Sequence, residues 1–348
     1  MSLIISDFAV LSPNEKNLLE SFGTVLYHGS ACSTEKDPSE DEMIRIVSKD
    51  TPDILIVNSA PVTSKVIDAM PNVRLIICAR GNPVNVDVAY CNQKNIPVTH
   101  TPGRNANAVA EYTLCMILCA LRNVFPATHA VMHAECTVAQ SPESLQSHTK
   151  DVTWMHDALP YEPYYEFSGY EITDKTLGLI GFGFIGQCVA KKAHALGMHV
   201  IAYDPHVSAD VFQKHGVTSV DLDTVTRTSD VISLHAVATG DCILTKERLQ
   251  TVKKHAVIIN TARSSLIDTK ALLDALKQKK IHSAVLDVFD YEPLSSFDPM
   301  ISEPINGLIL SPHIAGASKD VAICQSKMIL EAVQAFCEKK ELPYQAKA

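Results

Sequence analysis

KTLGLIGFGFIGQCVAKKAHALGMHVIAYDP, residues 175–205, is the stretch that decides the fold of this chain. It begins with a short apolar run, Thr176–Ile180, whose length and composition are typical of a buried strand. Three glycines in the spacing GxGxxG follow, and a helical pattern then continues to Leu196. A second apolar run, His199–Tyr203, ends at Asp204. The sequence therefore predicts a strand, a glycine-rich turn, a helix and a second parallel strand.

The three glycines have separate roles in a turn of this kind. Gly181 makes the tight turn, Gly183 lets the backbone approach a pyrophosphate, and Gly186 lets helix and strand pack closely. The free N–H groups of the helix start then face the phosphates. A glycine-rich turn can also serve packing alone, but the strands and the acid all stand where a dinucleotide requires them. The predicted dinucleotide site consists of Gly181, Gly183, Phe184, Ile185, Gly186 and Asp204.

The acid at the end of the second strand indicates which dinucleotide binds. A carboxylate at Asp204 can accept the hydroxyls of the adenine ribose. The same charge would repel a 2′-phosphate, and no Arg follows it to compensate. The sequence therefore favours NAD over NADP.

Length, composition and charge limit the possible classes of protein. The 348 residues suffice for two domains, and 46% hydrophobic with 20% charged residues is ordinary for a globular protein. A net charge of −9 argues against nucleic acid or an anionic membrane as the main partner. We find no apolar run of about 20 residues and no signal-peptide pattern at the start. Ten cysteines without CxxC pairs favour a reducing cytoplasm.

Apolar runs alternate with helical patterns along most of the chain, which predicts parallel sheets wrapped by helices. Residues 1–104 form one such α/β unit, and an apolar helix over 106–121 then suits a buried position. Residues 124–172 contain an aromatic cluster, which forms either an arm on a partner subunit or a cover on this chain's own surface. His129, His133 and Cys136 have helical spacing, but without further ligands we interpret them as a polar helix face and predict no metal.

Polar residues follow several strands of the second half, at the edge where open α/β sheets bind ligands. An Arg can bind a carboxylate with two parallel hydrogen bonds, and a His can donate or accept a proton during hydride transfer. An acid beside that His can fix the tautomer of its ring. Taken alone, Arg263 could be a surface salt bridge and His313 a satisfied core residue. Their combination predicts carbonyl–alcohol interconversion at this edge. The residues concerned are Asp204, His235, Arg263, Asp287 and His313, with Glu292 close behind.

At these residues the chain resembles the D-isomer-specific 2-hydroxyacid dehydrogenases, and most closely the phosphoglycerate-dehydrogenase-like members. The resemblance covers nearly the whole length. It is carried by PVNVD at 83–87, TPGRNANAVAE at 101–111, TLGLIGFGFIG at 176–186, NTARSSLID at 260–268, LDVFDYEP at 286–293 and SPHIAGAS at 311–318.

The resemblance implies a role for each matched residue. Arg263 would bind the substrate carboxylate, and Glu292 would pair with the catalytic His313. Asp287 would hold the nicotinamide carboxamide, and three further residues would line the cofactor cleft: His235, Thr261 and Ala262.

The resemblance also implies an architecture of two Rossmann-like or flavodoxin-like parallel-sheet domains with a cleft between them. Residues 1–104 and 317–348 would form the flavodoxin-like substrate domain, and 105–316 the NAD-binding Rossmann domain, with a dimerisation arm at 124–172. Family members are typically homodimers joined through the cofactor domain.

The substrate region departs from the phosphoglycerate pattern. Cys78 and Asn58 stand where that subgroup often carries Arg, and Arg80 comes two positions after the first of them. We hypothesise that Arg80, Arg104 and Lys319 supply compensating charge for a phosphorylated or otherwise doubly anionic substrate; the alternative is solvated surface cations. The amides of Gly81 and Asn82 would hold its carboxylate, and Asn105 joins the predicted substrate residues.

Three other functions remain open at this point. Relatives in the same superfamily act on formate or phosphite, but formate enzymes usually carry Gln in place of Glu292. Transcriptional corepressors share this fold as NAD-sensing binding proteins, and they keep the Arg, Glu and His, so the motifs alone do not separate them from dehydrogenases.

Overall fold

A computed structural model describes residues 2–7, 13–28, 37–141, 154, 159–238 and 240–346. Its strands are β1 (Ser2–Asp7), β2 (Gly23–His28), β3 (Ile54–Val57), β4 (Leu75–Cys78), β5 (Val98–His100), β6 (Thr176–Ile180), β7 (His199–Tyr203), β8 (Thr218–Ser219), β9 (Val231–Leu234), β10 (Val257–Asn260), β11 (Ser283–Leu286) and β12 (Leu308–Leu310).

The helices alternate with these strands. They are α1 (Pro13–Phe22), α2 (Glu40–Asp50), α3 (Ser64–Asp68), α4 (Val88–Gln93), α5 (Ala106–Leu121), α6 (Val124–Met132), α7 (Pro163–Glu166), α8 (Phe184–Ala195), α9 (Ala209–Lys214), α10 (Leu222–Thr228), α11 (Lys246–Leu249), α12 (Thr269–Lys277), α13 (Pro299–Ser302) and α14 (Lys319–Cys337). A short 3₁₀ helix covers Ser264–Leu266.

The chain divides into two compact units. The terminal unit comprises residues 1–108 and 316–348, and the central unit comprises residues 109–315. Both ends of the chain therefore contribute to one unit, and the segment between them forms the other.

The terminal unit is built on a five-stranded sheet in the order β2-β1-β3-β4-β5, with every pairing parallel. This is the flavodoxin-like strand order. Residues alternate between its two faces, because successive side chains of a strand point in opposite directions. Ile54 and Ile56 pack with Leu19 of α1 and with α14, whereas Leu55 and Val57 pack with α2 and α3. The sheet is therefore covered on both faces.

The central unit is built on a seven-stranded parallel sheet in the order β12-β11-β10-β9-β6-β7-β8. Counted from β6 as strand 1, this is the Rossmann order 3-2-1-4-5-6 with one further strand. Helices α5 and α8 cover one face around the buried Phe182, and α10 to α12 cover the other. The order reverses between β6 and β9, which is the switch point where such sheets bind ligands.

The predicted α/β fold with two parallel sheets is confirmed. The strands predicted at 176–180 and 199–203 are β6 and β7, with the predicted bounds, and two other strands were missed. β2 is an edge strand with a mixed burial pattern, and β8 has only two residues, both exposed. The predicted arm at 124–172 includes α6 and α7, and residues 142–153 and 155–158 lie outside the described part of the chain.

Within the described ranges, no single helix has both the length and the apolar composition needed to cross a membrane. Among those residues, only the pair α5 and α6, bent by 68°, reaches that length and composition together.

Candidate active site

The carboxyl ends of five neighbouring strands of the central unit are in register. Ile180 of β6 pairs with Leu234, and Asn260 of β10 pairs with Leu234 on one side and Leu286 on the other. Leu286 in turn pairs with Leu310. The residue after each strand therefore lies on one edge of the sheet, and these residues are Gly181, His235, Thr261, Asp287 and Ser311.

The first turn on this edge requires glycine at two positions. Gly181 has φ +97°, and a Cβ there would lie 2.5 Å from the amide nitrogen of Ala236. A Cβ on Gly186 would lie 2.5 Å from the carbonyl oxygen of Gly181. Backbone atoms cannot move aside as a flexible side chain can. The close packing of turn, helix and neighbouring loop therefore leaves no room for a Cβ at either position.

Gly183 differs from the other two, because a Cβ on it would meet nothing within 4 Å. It is the N-cap of α8, and no side chain caps the free N–H groups at that helix start. Open space beside uncapped N–H groups is what a pyrophosphate requires. The turn therefore fits a dinucleotide, with Phe184 exposed and Ile185 half-buried in the first helical turn.

Asp204 directly follows β7 and lies beside this turn. Its Oδ2 accepts a hydrogen bond from the amide of Phe182 at 2.8 Å, and its Oδ1 accepts one from the amide of His206 at 2.9 Å. These bonds fix the carboxylate next to the glycine turn, where each oxygen retains a lone pair for a further donor.

His235, which follows β9, is held by its own strand. Its Nε2 lies 2.9 Å from the Ser233 hydroxyl. The residue retains some exposed surface, but Nδ1 is buried and has no hydrogen-bond partner among the described residues. Burial lowers the pKa of His235 from 6.5 to about 4, so the ring is neutral at physiological pH.

Arg263 lies in the turn after β10, and hydrogen bonds of the Asn260 side chain stabilise that turn. The Asn260 amide group donates to the Arg263 carbonyl at 2.8 Å and accepts from the amide of Ala262 at 3.0 Å. Between them, Thr261 is buried. The Arg263 side chain is exposed and donates only to the Ala262 carbonyl at 2.6 Å, and it forms no ion pair within the described ranges. Its charge is therefore available to an anion.

Asp287 is fully buried and accepts three hydrogen bonds from the segment after β12. The Ser311 hydroxyl donates to Oδ1 at 2.6 Å, the amide of Ile314 to Oδ1 at 2.9 Å, and the amide of Ala315 to Oδ2 at 2.8 Å. These donors stand on both sides of His313. The contact of Asp287 with a nicotinamide carboxamide stays a prediction, since in this conformation its carboxylate fastens the loop that carries His313.

His313 and Glu292 form the closest pair of charged or titratable groups at this edge. His313 Nδ1 lies 2.7 Å from Glu292 Oε2, and Glu292 Oε1 accepts a bond from the amide of Phe289 at 3.0 Å. The bond from His313 is the main cause that lowers the pKa of Glu292, and Arg263 lowers it further. Because the ionised carboxylate can only accept, Nδ1 is the donor. His313 Nε2 is then the nitrogen that can exchange a proton with a ligand.

The predicted substrate residues all lie in the terminal unit. Arg80, Gly81 and Asn82 follow β4, Asn105 immediately precedes α5, and Lys319 is the first residue of α14. The charge of Arg80 lowers the pKa of Arg104, whereas no contact joins Lys319 to either arginine within the described residues.

Sequence reasoning missed residues that hold the site rather than face a ligand. Asn260 fastens the Arg263 turn, and Ser311 donates to Asp287. Asn260 and Ser311 each stand at the end of a strand, which is the one feature that could have identified them.

Comparison with known proteins identifies the family. The family model for the D-isomer specific 2-hydroxyacid dehydrogenase, NAD binding domain, matches residues 116–315. A hydroxypyruvate reductase of Thermotoga maritima is 35% identical, over 86% of this chain and 88% of its own length. A D-3-phosphoglycerate dehydrogenase of Archaeoglobus fulgidus is 31% identical over 85% of this chain, a match that spans 51% of that enzyme.

A solved structure extends the likeness to the whole fold. An acyclic imino acid reductase in complex with NADPH and D-Arg matches with a TM-score of 0.76 at 26% identity, over 100% of both chains. Together with the family match, these findings confirm the resemblance inferred from the motifs. The chain belongs to the D-isomer specific 2-hydroxyacid dehydrogenases, and it is an oxidoreductase whose cofactor is a nicotinamide dinucleotide.

Proposed function

We propose that this chain catalyses the reversible interconversion of a small D-2-hydroxy acid and its 2-keto acid. The observation that carries the proposal is the 2.7 Å bond between His313 and Glu292, on the same sheet edge as the glycine turn and Arg263. The relatives compared above are named as a reductase and a dehydrogenase, which favours an enzyme over a binding protein of the corepressor type.

The three charged residues have distinct roles in this reaction. A bound nicotinamide dinucleotide supplies or accepts the hydride. Arg263 binds the substrate carboxylate, because its guanidinium is exposed and forms no ion pair with any described residue. In the direction of reduction, His313 Nε2 donates a proton to the carbonyl oxygen as that oxygen becomes a hydroxyl. Glu292 stays ionised, fixes the tautomer through Nδ1 and stabilises the charged ring.

We propose NAD as the dinucleotide. Asp204 supports this choice, since its carboxylate is fixed beside the glycine turn and would repel a 2′-phosphate. We further assign Gly181, Gly183, Phe184, Ile185 and Gly186 to the pyrophosphate side of the site, and His235, Thr261, Ala262 and Asp287 to the nicotinamide side.

The terminal unit is proposed as the substrate domain and the central unit as the NAD-binding domain. The loop after β4 supplies the amides of Gly81 and Asn82, and the substrate residues include Arg80, with Asn105 and Lys319 as further candidates. A substrate that carries phosphate or a second anion forms part of this proposal.

The proposed assembly is a homodimer in the cytoplasm. Large apolar side chains remain exposed on one part of the central unit, where a second copy would cover them. They are Leu118 in α5 and Val124, Phe125, Val131 and Met132 in α6. All nine cysteines in the described part of the chain are free thiols, which supports a reducing compartment.

The reaction is tested by NADH oxidation against glyoxylate, hydroxypyruvate and phosphohydroxypyruvate. We expect turnover of at least one of them by the wild-type chain. His313→Ala and Arg263→Ala should each lower kcat/KM by about 100-fold or more, while NADH binding, followed by fluorescence, is retained.

Matched controls separate these roles from general effects of substitution. His194→Ala and Arg122→Ala remove exposed residues of the same types from the same unit and should leave turnover unchanged. Near-normal kcat/KM in the His313 or Arg263 variant would refute the role assignment. Absence of turnover on every keto acid would refute the proposed reaction.

A further inference from the structure

The turn that carries His313 is anchored at its first residue, Ser311. The amide of Ser311 donates to the carbonyl of Leu286 at 3.1 Å, which continues the parallel pairing of β12 with β11 by one residue. The carbonyl of Ser311 accepts a hydrogen bond from the amide of His313 at 3.0 Å. Between them, the ring of Pro312 restricts backbone rotation. The backbone of Ser311 therefore connects His313 directly to the sheet.

The side chain of Ser311 makes a further bond, to Asp287. Its hydroxyl donates to Oδ1 at 2.6 Å, and the amides of Ile314 and Ala315 are the other two donors to this carboxylate. Asp287 is fully buried and forms no ion pair with any residue that the structure describes. A buried carboxylate without a counter-ion depends on its hydrogen-bond donors. The Ser311 hydroxyl supplies one of the three.

The donors to Asp287 stand on both sides of His313 in the sequence. Ser311 lies two residues before the histidine, whereas Ile314 and Ala315 follow it, so one carboxylate holds the turn at its start and at its end. Held in this way, His313 Nδ1 lies 2.7 Å from Glu292 Oε2. Without the hydroxyl, Asp287 would hold only the end of the turn, and the position of the imidazole would be less well defined.

We propose that Ser311 is a positioning residue of the reaction, whose hydroxyl acts through Asp287 to keep His313 in contact with Glu292. This inference rests on the proposed dehydrogenase function, in which His313 Nε2 exchanges a proton with the substrate. In this role Ser311 does not contact the reacting atoms. The role requires a hydroxyl on the side chain, so a small residue without one cannot replace it.

The first test compares steady-state kinetics on a keto acid that the wild-type chain reduces. Ser311→Ala should lower kcat by roughly 10-fold, since it removes a hydrogen bond to a buried carboxylate. KM for the keto acid should change little, because Arg263 is held by a different turn. Ser311→Thr keeps the hydroxyl and should retain kcat within about twofold of the wild-type value.

Two further variants separate positioning from a general loss of structure. Ser311→Cys keeps the side-chain size with a weaker donor, so its kcat should lie between those of the Ala and Thr variants, and it decides the matter if Ser311→Ala does not fold. The control is Ser283→Ala, which removes a buried hydroxyl that donates at 2.7 Å to the carbonyl of Gly307 in the same unit. It should leave kcat unchanged.

These kinetic measurements can contradict the inference in three ways. Wild-type kcat in both the Ala and the Cys variant would overturn it, as would a Thr variant as slow as the Ala variant. An equal loss of kcat in Ser283→Ala would show that any missing buried hydroxyl has the same effect, and would overturn it as well.

A second measurement does not depend on turnover. The bond from His313 is the main cause that lowers the pKa of Glu292. In a ¹³C NMR titration, with the Glu292 signal assigned through Glu292→Gln, this pKa should stay low in the wild-type, Ser311→Thr and Ser283→Ala chains. It should rise toward its ordinary value in Ser311→Ala and Ser311→Cys. If no keto acid is reduced, the proposed reaction fails, and this titration still decides whether Ser311 holds the pair. A Glu292 pKa that is equal in all these chains would overturn the inference.

Discussion

His313 has a backbone conformation that its residue type rarely adopts. Its φ of +55° lies in the left-handed region, which costs a residue with a Cβ on the order of 1 kcal/mol. Asp287 offsets this cost, because its buried carboxylate accepts the amides of Ile314 and Ala315 directly after the histidine. Asp287, which is fully buried, therefore positions the proposed catalytic nitrogen of His313.

The buried ring of His235 makes the stability of the fold depend on pH. Its pKa is about 4 in the folded chain, against 6.5 for an exposed histidine. Between these values the unfolded chain binds the proton and the folded chain does not, so the free energy of unfolding falls as pH drops from 6.5 to 4. The full effect is on the order of 3 kcal/mol. Urea unfolding at several pH values measures it.

The comparison variant is His235→Gln, which keeps a polar group near Ser233 and removes the titration. Its free energy of unfolding should change less between pH 6.5 and 4 than that of the wild-type chain. A control at an exposed histidine, His194→Gln, should follow the wild-type curve. Parallel curves for the wild-type and His235→Gln chains would show that His235 titrates normally in the folded state.

At the scale of the element, substitutions in the glycine turn before α8 should affect folding at one glycine and NADH binding at another. Gly183→Ala adds a methyl group in open space, so the thermal midpoint should stay close to the wild-type value. The same methyl group stands where we propose that the pyrophosphate approaches, and NADH should bind about tenfold more weakly or worse. Calorimetric titration with NADH gives the dissociation constant.

Gly186→Ala is the matched variant one helical turn later. Its methyl group would collide with the Gly181 carbonyl, so the chain should lose about 1–3 kcal/mol of stability. The thermal midpoints of the two alanine variants can be compared directly. Equal midpoints with equal NADH affinities would contradict the division of roles between the two glycines.

At the scale of the whole molecule, the exposed apolar face of α5 and α6 predicts association. Met132 is 77% exposed and Phe125 is 41% exposed, and burial of such side chains drives subunit contacts. We expect light scattering to give twice the chain mass of 37.9 kDa for the wild-type protein. Phe125→Glu combined with Met132→Glu should yield the single chain mass.

The control for this prediction is Leu18→Glu, which places the same charge at an exposed apolar residue of the terminal unit. It should remain a dimer. A single chain mass for the wild-type protein at micromolar concentration would contradict the proposed assembly.

Much of this architecture could be predicted from the sequence because the central strands are buried on both faces. Such strands appear as continuous apolar runs, and β6 has the predicted bounds. The polar residues that follow them were identifiable for the same reason, since each apolar run ends abruptly. His313 and Glu292, which lie far apart in the sequence, were brought together only through the motifs of the family.

Features without periodicity could not be predicted. β2 lies at a sheet edge and alternates irregularly between half-buried and exposed residues, and β8 is too short to form a pattern. The bonds of Asp287 depend on which loop packs over it, and the sequence shows only an acid after a strand.

The contribution of both chain ends to the terminal unit has a consequence for synthesis on the ribosome. Ile54, Ile56, Leu75 and Ile77 form the sheet face that α14 covers through Ile329 and Val333. When this face has been translated, more than two hundred residues of the central unit must still be made before its cover exists. The nascent chain therefore exposes an apolar surface for most of its elongation. Binding of a chaperone would protect this surface until α14 emerges from the ribosome.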